Sequence, residues 1–398
     1  MLSLLRRVKA DFELPAAARR ARAADRAPLG DDIGAHAAIG LGLAWLGRAQ
    51  DHSASRDGGF ARDYDMIKGW ATSYPETSGY IVPTMIDAAR EHGRADYEMR
   101  ARACLDWLVT IQFPEGGFQG GRIDQTPKVP VTFNTGQILL GLAAGTAHLD
   151  RDRYLEPMRR AAVWLRDSLD ADGCWRQHAT PFAKPGEKAY ETHVSWGLFE
   201  AERVAPGEGF AAAGYRQVAW ALTKQQPNGW FASNDLEDPR APLTHTIGYV
   251  LRGVVEAWRL STDPMHLVAA LCTARSLARI VDAEGRLAGK LDSNWQPAAP
   301  WVCLTGSVQI AHSLFLLAAH APELAAPACR LNSYVRRTIQ LDGTEDRRGG
   351  IKGSHPIDGG YGRWQYLNWA AKFMIDAQRA ELAHATTTTT TTTPTPTP

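Results

Sequence analysis

Apolar side chains recur at helical spacing along most of the chain. Met158, Ala162, Leu165 and Leu169 step by 4, 3 and 4 residues. That spacing lines one face of a helix and leaves the other to water. A second kind of segment follows a different rule. The run Asn134-Thr-Gly-Gln-Ile-Leu-Leu-Gly-Leu-Ala-Ala is apolar nearly all round, as in a helix covered on both sides. The two kinds alternate, and a turn with glycine and an aromatic divides them. Copies of the turn are Gly58-Gly59-Phe60, Gly116-Gly117-Phe118, Asp172-Gly173-Cys174-Trp175 and Asn228-Gly229-Trp230-Phe231. Weaker copies follow at Glu284-Gly285-Arg286-Leu287 and Gly349-Gly350-Ile351. Gly59, Gly117, Gly173, Gly229, Gly285 and Gly350 are 58, 56, 56, 56 and 65 residues apart. A near-constant period of this length marks a repeat architecture.

The period predicts amphipathic outer helices beginning near residues 36, 98, 155, 211, 265 and 326. It predicts buried inner helices beginning near 75, 133, 191, 244, 304 and 365. Gly79, Gly136, Gly197, Gly248 and Gly306 fall in their first turns, where close helix packing needs small residues. Strand signals are nearly absent. Alternating outer and inner helices with no polar capping repeat close into a double ring rather than an open stack. The expected fold is all-α, a single (α/α)6 toroid of six outer and six inner helices over residues 33–384. Residues 1–32 read as an Arg/Ala-rich leader helix, loosely attached. Residues 385–398, a threonine run followed by alternating Pro and Thr, cannot bury apolar surface and are expected to be disordered.

Composition narrows the function classes. Lys and Arg number 44 against 43 Asp and Glu, a net charge of +1. Nucleic-acid partners, which call for a concentrated basic face, are not expected. No apolar run approaches the ~18–20 residues of a membrane span. The opening MLSLLRRVKADFELP lacks the apolar core of a signal peptide, so a cytoplasmic location is expected. Cys104, Cys174, Cys272, Cys303 and Cys329 are scattered with no C-x-x-C pair. Neither a disulfide framework nor a thiolate metal site follows, and no metal or cofactor is expected.

Two resemblances add to this reading. The outer-helix ends Gln112-Phe-Pro-Glu-Gly-Gly-Phe118 and Gln225-Gln-Pro-Asn-Gly-Trp230 resemble the turn repeat of the terpenoid cyclase and protein prenyltransferase superfamily, over most of residues 36–382. The resemblance implies the toroid. The chemical motifs of those relatives, Asp-x-Asp-Asp, Asp-Asp-x-x-Asp and Cys-Gly-Glu-Gln, do not occur in the sequence. A second set is Tyr74-Pro-Glu-Thr-Ser-Gly-Tyr-Ile-Val-Pro-Thr84, Gly349-Gly-Ile-Lys-Gly-Ser-His355 and Gly359-Gly-Tyr-Gly-Arg-Trp-Gln-Tyr-Leu-Asn-Trp369. It is similar to the first and last inner-helix starts of toroid proteins from bacterial exopolysaccharide loci. That implies a part in making or modifying surface polysaccharide, on a glycan or glycan-lipid substrate and in company with glycosyltransferases.

In such a ring the turn loops and inner-helix N-termini surround one mouth. Their converging dipoles favour anionic groups. Catalytic candidates there are Glu76, Glu191, His193, His245 and Tyr361, with Tyr74, Asn134, Trp301, Arg363 and Trp364 as substrate-binding candidates. The acids also suit helix-start capping, and the histidines a satisfied core role. Two chemistries fit. One is glycoside hydrolysis by opposed carboxylates, Glu76 or Asp65 facing Glu191. The other is proton abstraction at C5 of a uronate, in the manner of a lyase or epimerase. That needs a Tyr or His acid and base, plus Asn, His or Arg to neutralise the sugar carboxylate. Asn134, His193, His245, Tyr249, Tyr361 and Arg363 supply those types. The alternatives are a non-catalytic glycan-binding scaffold, or an isoprenoid enzyme with an acid cluster deep in an aromatic cavity.

Overall fold

The computed structural model describes residues 14–181 and 183–391. Its α-helices, in chain order, are α1 (Ala16–Ala24), α2 (Ala35–Asp51), α3 (Pro75–His92), α4 (Ala95–Ile111) and α5 (Thr132–His148). Then come α6 (Arg151–Asp167), α7 (Thr192–Val204), α8 (Phe210–Leu222) and α9 (Thr244–Ser261). The last are α10 (Pro264–Ile280), α11 (Leu304–Leu317), α12 (Ala325–Arg336) and α13 (Asn368–Thr391). Every predicted start lies within 4 residues of an observed one. The two apolar patterns sort as expected. In α6 the buried residues Tyr154, Met158, Ala161, Ala162 and Leu165 form one face. In α5 burial is almost continuous from Asn134 to Ala143.

The odd-numbered helices from α3 to α13 form the inner ring. Each packs on the next, and α13 returns to α3. Helices α4, α6, α8, α10 and α12 each lie on the inner helix before them, while α2 lies on α13. The two ends of the chain therefore join, and the architecture is an α/α toroid. The turn glycines explain why the period is kept. Gly285 (φ +83) sits against the Arg330 carbonyl of α12, and Gly349 (φ +78) against the Leu41 carbonyl of α2. Both need a left-handed backbone and leave no room for a Cβ. The last repeat thus docks on the first as any repeat docks on its successor.

Short strands tie the loops at the mouth. Strand β1 (Asp63–Asp65) pairs antiparallel with β2 (Gly69–Trp70), and β3 (Val302–Cys303) pairs with β4 (Ser354–His355). Strand β5 (Gln365–Leu367) adds to the free edge of β1, with Tyr64 opposite Tyr366. This pairing takes Gln365 out of the expected last inner helix, which starts instead at Asn368.

Two expectations at the ends change. The disordered tail was placed at residues 385–398, but α13 runs on through Thr391. Thr386 and Thr387 bond their hydroxyls back to the Leu382 and Ala383 carbonyls, 3.0 Å each, so the threonines extend the helix. Residues 392–398 lie outside the described residues, as do 1–13 of the leader. The described leader is anchored. Asp25 pairs with Lys352 and accepts from the Ile357 amide at 2.8 Å. Asp32 takes both arms of Arg336 at 2.6 and 2.7 Å. Among the described residues no helix is long and apolar enough to cross a membrane. All five cysteines are free.

Candidate active site

Inner-helix N-termini and the β1 and turn loops enclose a cavity of about 340 Å³. That is the small end of the usual range for ligand pockets, ~300–1,000 Å³. Helix α3 contributes Glu76 and Tyr80, α5 contributes Phe133 and Asn134, α9 contributes His245 and Tyr249, and α13 contributes Trp369. Arg62, Tyr74, Arg122, Tyr190 and Tyr361 come from the loops.

Glu76 is placed by the start of α3, where Pro75 occupies the first helical position. Its side chain is buried, and its Oε2 accepts from the Tyr74 hydroxyl at 2.9 Å. Burial pushes its pKa up to about 7, against the pull of the Tyr74 hydrogen bond and the Arg62 charge. Arg62 stands across from it in the β1 loop. Its Nη1 lies 2.6 Å from Asp63 Oδ2. Its guanidinium lies 5.0 Å from the Trp369 ring centre and 5.9 Å from that of Tyr74. Burial opposes the Arg62 charge, but Asp63 and Tyr74 together raise its pKa, so it stays cationic. Burial in turn lifts the Asp63 carboxyl despite that partner.

His245 is buried at the second position of α9, with Nδ1 2.7 Å from Gln309 Oε1 on α11. Burial lowers its pKa to about 4, although the Gln309 bond works the other way. Its ring lies 4.4 Å from Tyr249 and 5.4 Å from Tyr361, centre to centre. Tyr361 is fixed by its amide bond to Ser354 Oγ at 3.0 Å and by its hydroxyl, which accepts from Trp369 Nε1 at 2.9 Å. Asn134 is buried beside the Tyr74 hydroxyl.

The cavity therefore gathers Glu76, His245, Tyr249, Tyr361, Tyr74 and Asn134 from the sequence-based candidates. It does not gather the others. A 3-10 turn, Ala189–Glu191, precedes α7, so Tyr190 faces the cavity and Glu191 does not. The buried Glu191 carboxyl, pushed well up by burial, lies within electrostatic reach of Lys188 and Cys174. His193 is fully buried with Nδ1 2.6 Å from Gln137 Oε1. Its ring lies 4.6 Å from Tyr249, and Tyr249, not His193, lines the cavity. Trp301 packs on Gly289, Gly359 and Gly360 in the wall. Trp364 is buried and holds the loop through Ile357 O and the Met66 amide, at 3.0 and 2.9 Å. Arg363 is exposed over the Trp364 ring, 5.6 Å away. Asp65 caps the β1–β2 turn, accepting from the Ile67 amide at 2.8 Å.

Arg62, Tyr80, Phe133 and Trp369 were missed by sequence reasoning. Phe133 and Trp369 had a usable signal. Each is the second residue of its inner helix, the position of Glu76 in α3 and His245 in α9. Arg62 had none, because a long-range strand pair sets its place. Among the described residues no group of three His, Cys, Asp or Glu is arranged for a metal ion.

The opposite mouth holds a second cavity of about 470 Å³, lined by Asp87, Glu91, Arg252, Lys372, Asp376 and Arg379 among others. Tyr80 borders both cavities, with Phe373 5.2 Å away across the ring centre.

No protein-family model matches the chain, and no curated protein matches it. Solved structures do. An unsaturated glucuronyl hydrolase specific for heparin is 13% identical, with a TM-score of 0.70 over 88% of this chain and 98% of that one. The unsaturated glucuronyl hydrolase of Bacillus sp. GL1, responsible for glycosaminoglycan degradation, is 14% identical, with a TM-score of 0.67 over 86% and 95%. The cellobiose 2-epimerase of Bacillus thermoamylovorans B4167 is 12% identical, with a TM-score of 0.67 over 85% and 95%. At these identities the likeness is one of fold: the chain shares the α/α toroid that these sugar-acting proteins use.

Proposed function

We propose that the protein is an enzyme acting on an acidic sugar residue of a glycan, by proton transfer between that sugar and the pair Glu76 and His245. The observation that carries this is the opposite displacement of two buried titratable groups on one cavity. The Glu76 pKa is pushed up to about 7 and that of His245 down to about 4. Between those values the carboxyl holds its proton and the imidazole is a free base, an acid and a base ready together.

The sugar carboxylate pairs with Arg62 and draws on the field of the helix N-termini. Neutralising that carboxylate acidifies the C5–H. The His245 imidazole takes the C5 proton. In an elimination, Glu76 gives its proton to O4 as the C4–O bond breaks and a C4–C5 double bond forms. In an epimerisation, a proton returns to the opposite face of C5. Two-carboxylate hydrolysis is less well supported, because among the described residues Glu76 is the one candidate acid on the cavity and Glu191 and Asp65 lie elsewhere. An isoprenoid site has less support too, since Arg62 and Arg122 border the cavity and no acid cluster does.

We read the fold in full as six outer and six inner helices over residues 33–384. The pathway we favour is cytoplasmic exopolysaccharide biosynthesis on a glycan or glycan-lipid, beside glycosyltransferases. The similarity of the Tyr74–Thr84 and Gly359–Trp369 stretches to proteins of those loci supports it, and the sugar-acting structural neighbours support the coarser reading of action on a glycan. The test is incubation with a panel of uronate and neutral glycans in deuterated water. Deuterium at C5, or an unsaturated uronate product, is expected with uronate glycans alone. Binding without either product would leave a glycan-binding scaffold and sink the catalytic reading.

A further inference from the structure

Two inner-helix histidines carry the same clamp. His193 on α7 meets Gln137 on α5, and His245 on α9 meets Gln309 on α11, in each case through Nδ1 and a glutamine Oε1. Facing an amide oxygen, which only accepts, Nδ1 would carry the proton and Nε2 would keep its lone pair. The fate of Nε2 separates the two. In His193 it is buried without any partner, whereas the Nε2 of His245 is not among the buried unpartnered atoms, and His245 lines the cavity. Gln309 itself is buried and does not line it. A glycine holds the clamp in place. A Cβ on Gly248 would lie 2.8 Å from Gln309 Cβ, so any larger residue there displaces the amide.

We infer that Gln309 is a positioning residue: it holds His245 in the Nδ1–H tautomer, so that an acceptor-only Nε2 faces the ligand. This rests on the acid–base reading above and sharpens it. The ligand must present a donor, a hydroxyl or an acidic C–H, toward His245, and an acceptor oxygen toward Glu76. The groups facing the His245 ring are Tyr249 on its own helix, Tyr361 from the loop before α13 and His193 on α7; Cys303, before α11, meets only its backbone amide. None of them is a carboxylate, so the amide alone fixes the tautomer.

The test uses the full chain with nitrogen-15 in its histidine rings, and a His245→Gln sample to assign the signals. Wild type should show a protonated Nδ1 and a bare Nε2 for His245 near neutral pH. Gln309→Glu keeps an acceptor at the same place. It should retain that tautomer while the histidine titrates at least tenfold more weakly as an acid. Gln309→Leu should move the proton to Nε2, with the His193 signal unchanged as an internal control. Protonated Nε2 in wild type, or an unmoved tautomer in Gln309→Leu, overturns the inference. Should the leucine variant fail to fold, wild type and Gln309→Glu decide it. Adding D-glucuronate to wild type tests the function separately: no shift of His245 counts against the uronate site and leaves the tautomer result standing.

Discussion

The two mouths of the toroid bury carboxyls alike but treat them differently. At the rear, Asp376 has Lys372 Nζ at 2.7 Å and the Thr84 hydroxyl at 2.8 Å. Glu256 has Arg252 at 2.7 Å and Arg259 at 2.9 Å. Burial pushes the Asp376 carboxyl up, yet Lys372 prevails and its pKa falls. At the front, Glu76 has a tyrosine hydroxyl and no bonded cation, and burial prevails. Burial of charge alone is therefore no sign of function. A paired buried charge holds structure, and a buried acid without a bonded cation is a candidate for chemistry only where it also lines a cavity, as Glu76 does and Glu191 does not.

The largest expected effect falls on the front. Glu76→Gln should slow turnover of a uronate glycan by about 10²- to 10⁴-fold, the usual share of a general acid or base. A smaller loss would move the acid elsewhere. Lys372→Met should do the reverse. Removing one partner of a buried pair costs ~3–5 kcal/mol, so the melt should drop while turnover by the folded protein holds. Loss of both would mean that the rear mouth takes part in catalysis.

Glu76 also has a stability signature. Its carboxyl pKa is raised from 4.5 to about 7, so the native state binds the proton more tightly. Its contribution is present below about 4.5 and is lost as pH rises through about 7. The difference is on the order of 3 kcal/mol. Glu76→Gln should flatten that slope in urea melts at several pH values. An unchanged slope would place the Glu76 carboxyl in contact with water. Catalysis should follow a bell between about pH 4 and 7, limited by His245 on the acid side and Glu76 on the alkaline side.

Arg62→Met should weaken binding of uronate glycans by about 10- to 100-fold, the worth of a charged hydrogen bond at ~1.5–3 kcal/mol. Neutral glycans should bind as before. Equal losses for both would assign Arg62 to the fold of the β1 loop. The smallest effect is expected at the C-terminus. Truncation after Ala385 removes the exposed Thr386 and Thr387 with the residues that follow them, and should change stability by less than ~0.5 kcal/mol.

The sequence by itself determined the ring. Helical periodicity is local, each repeat states it again, and the turn glycines Gly58, Gly116, Gly173, Gly229, Gly285 and Gly349 each press on the backbone of an outer helix. Six concordant copies leave little freedom in where helices begin. The site was only half legible, because it depends on phase rather than period. Glu76 and His245 were readable because both stand second in helices whose starts the sequence marks. Glu191 was misplaced because one 3-10 turn ahead of α7 rotates Tyr190 into the cavity in its stead. His193 holds the right position, yet the Tyr249 ring of a neighbouring helix lies against it and takes the cavity wall. Arg62 depends on β1 pairing with β5, residues about 300 apart in sequence. Contacts of that range leave no local pattern, so only the closed tertiary structure could put its cation beside Glu76.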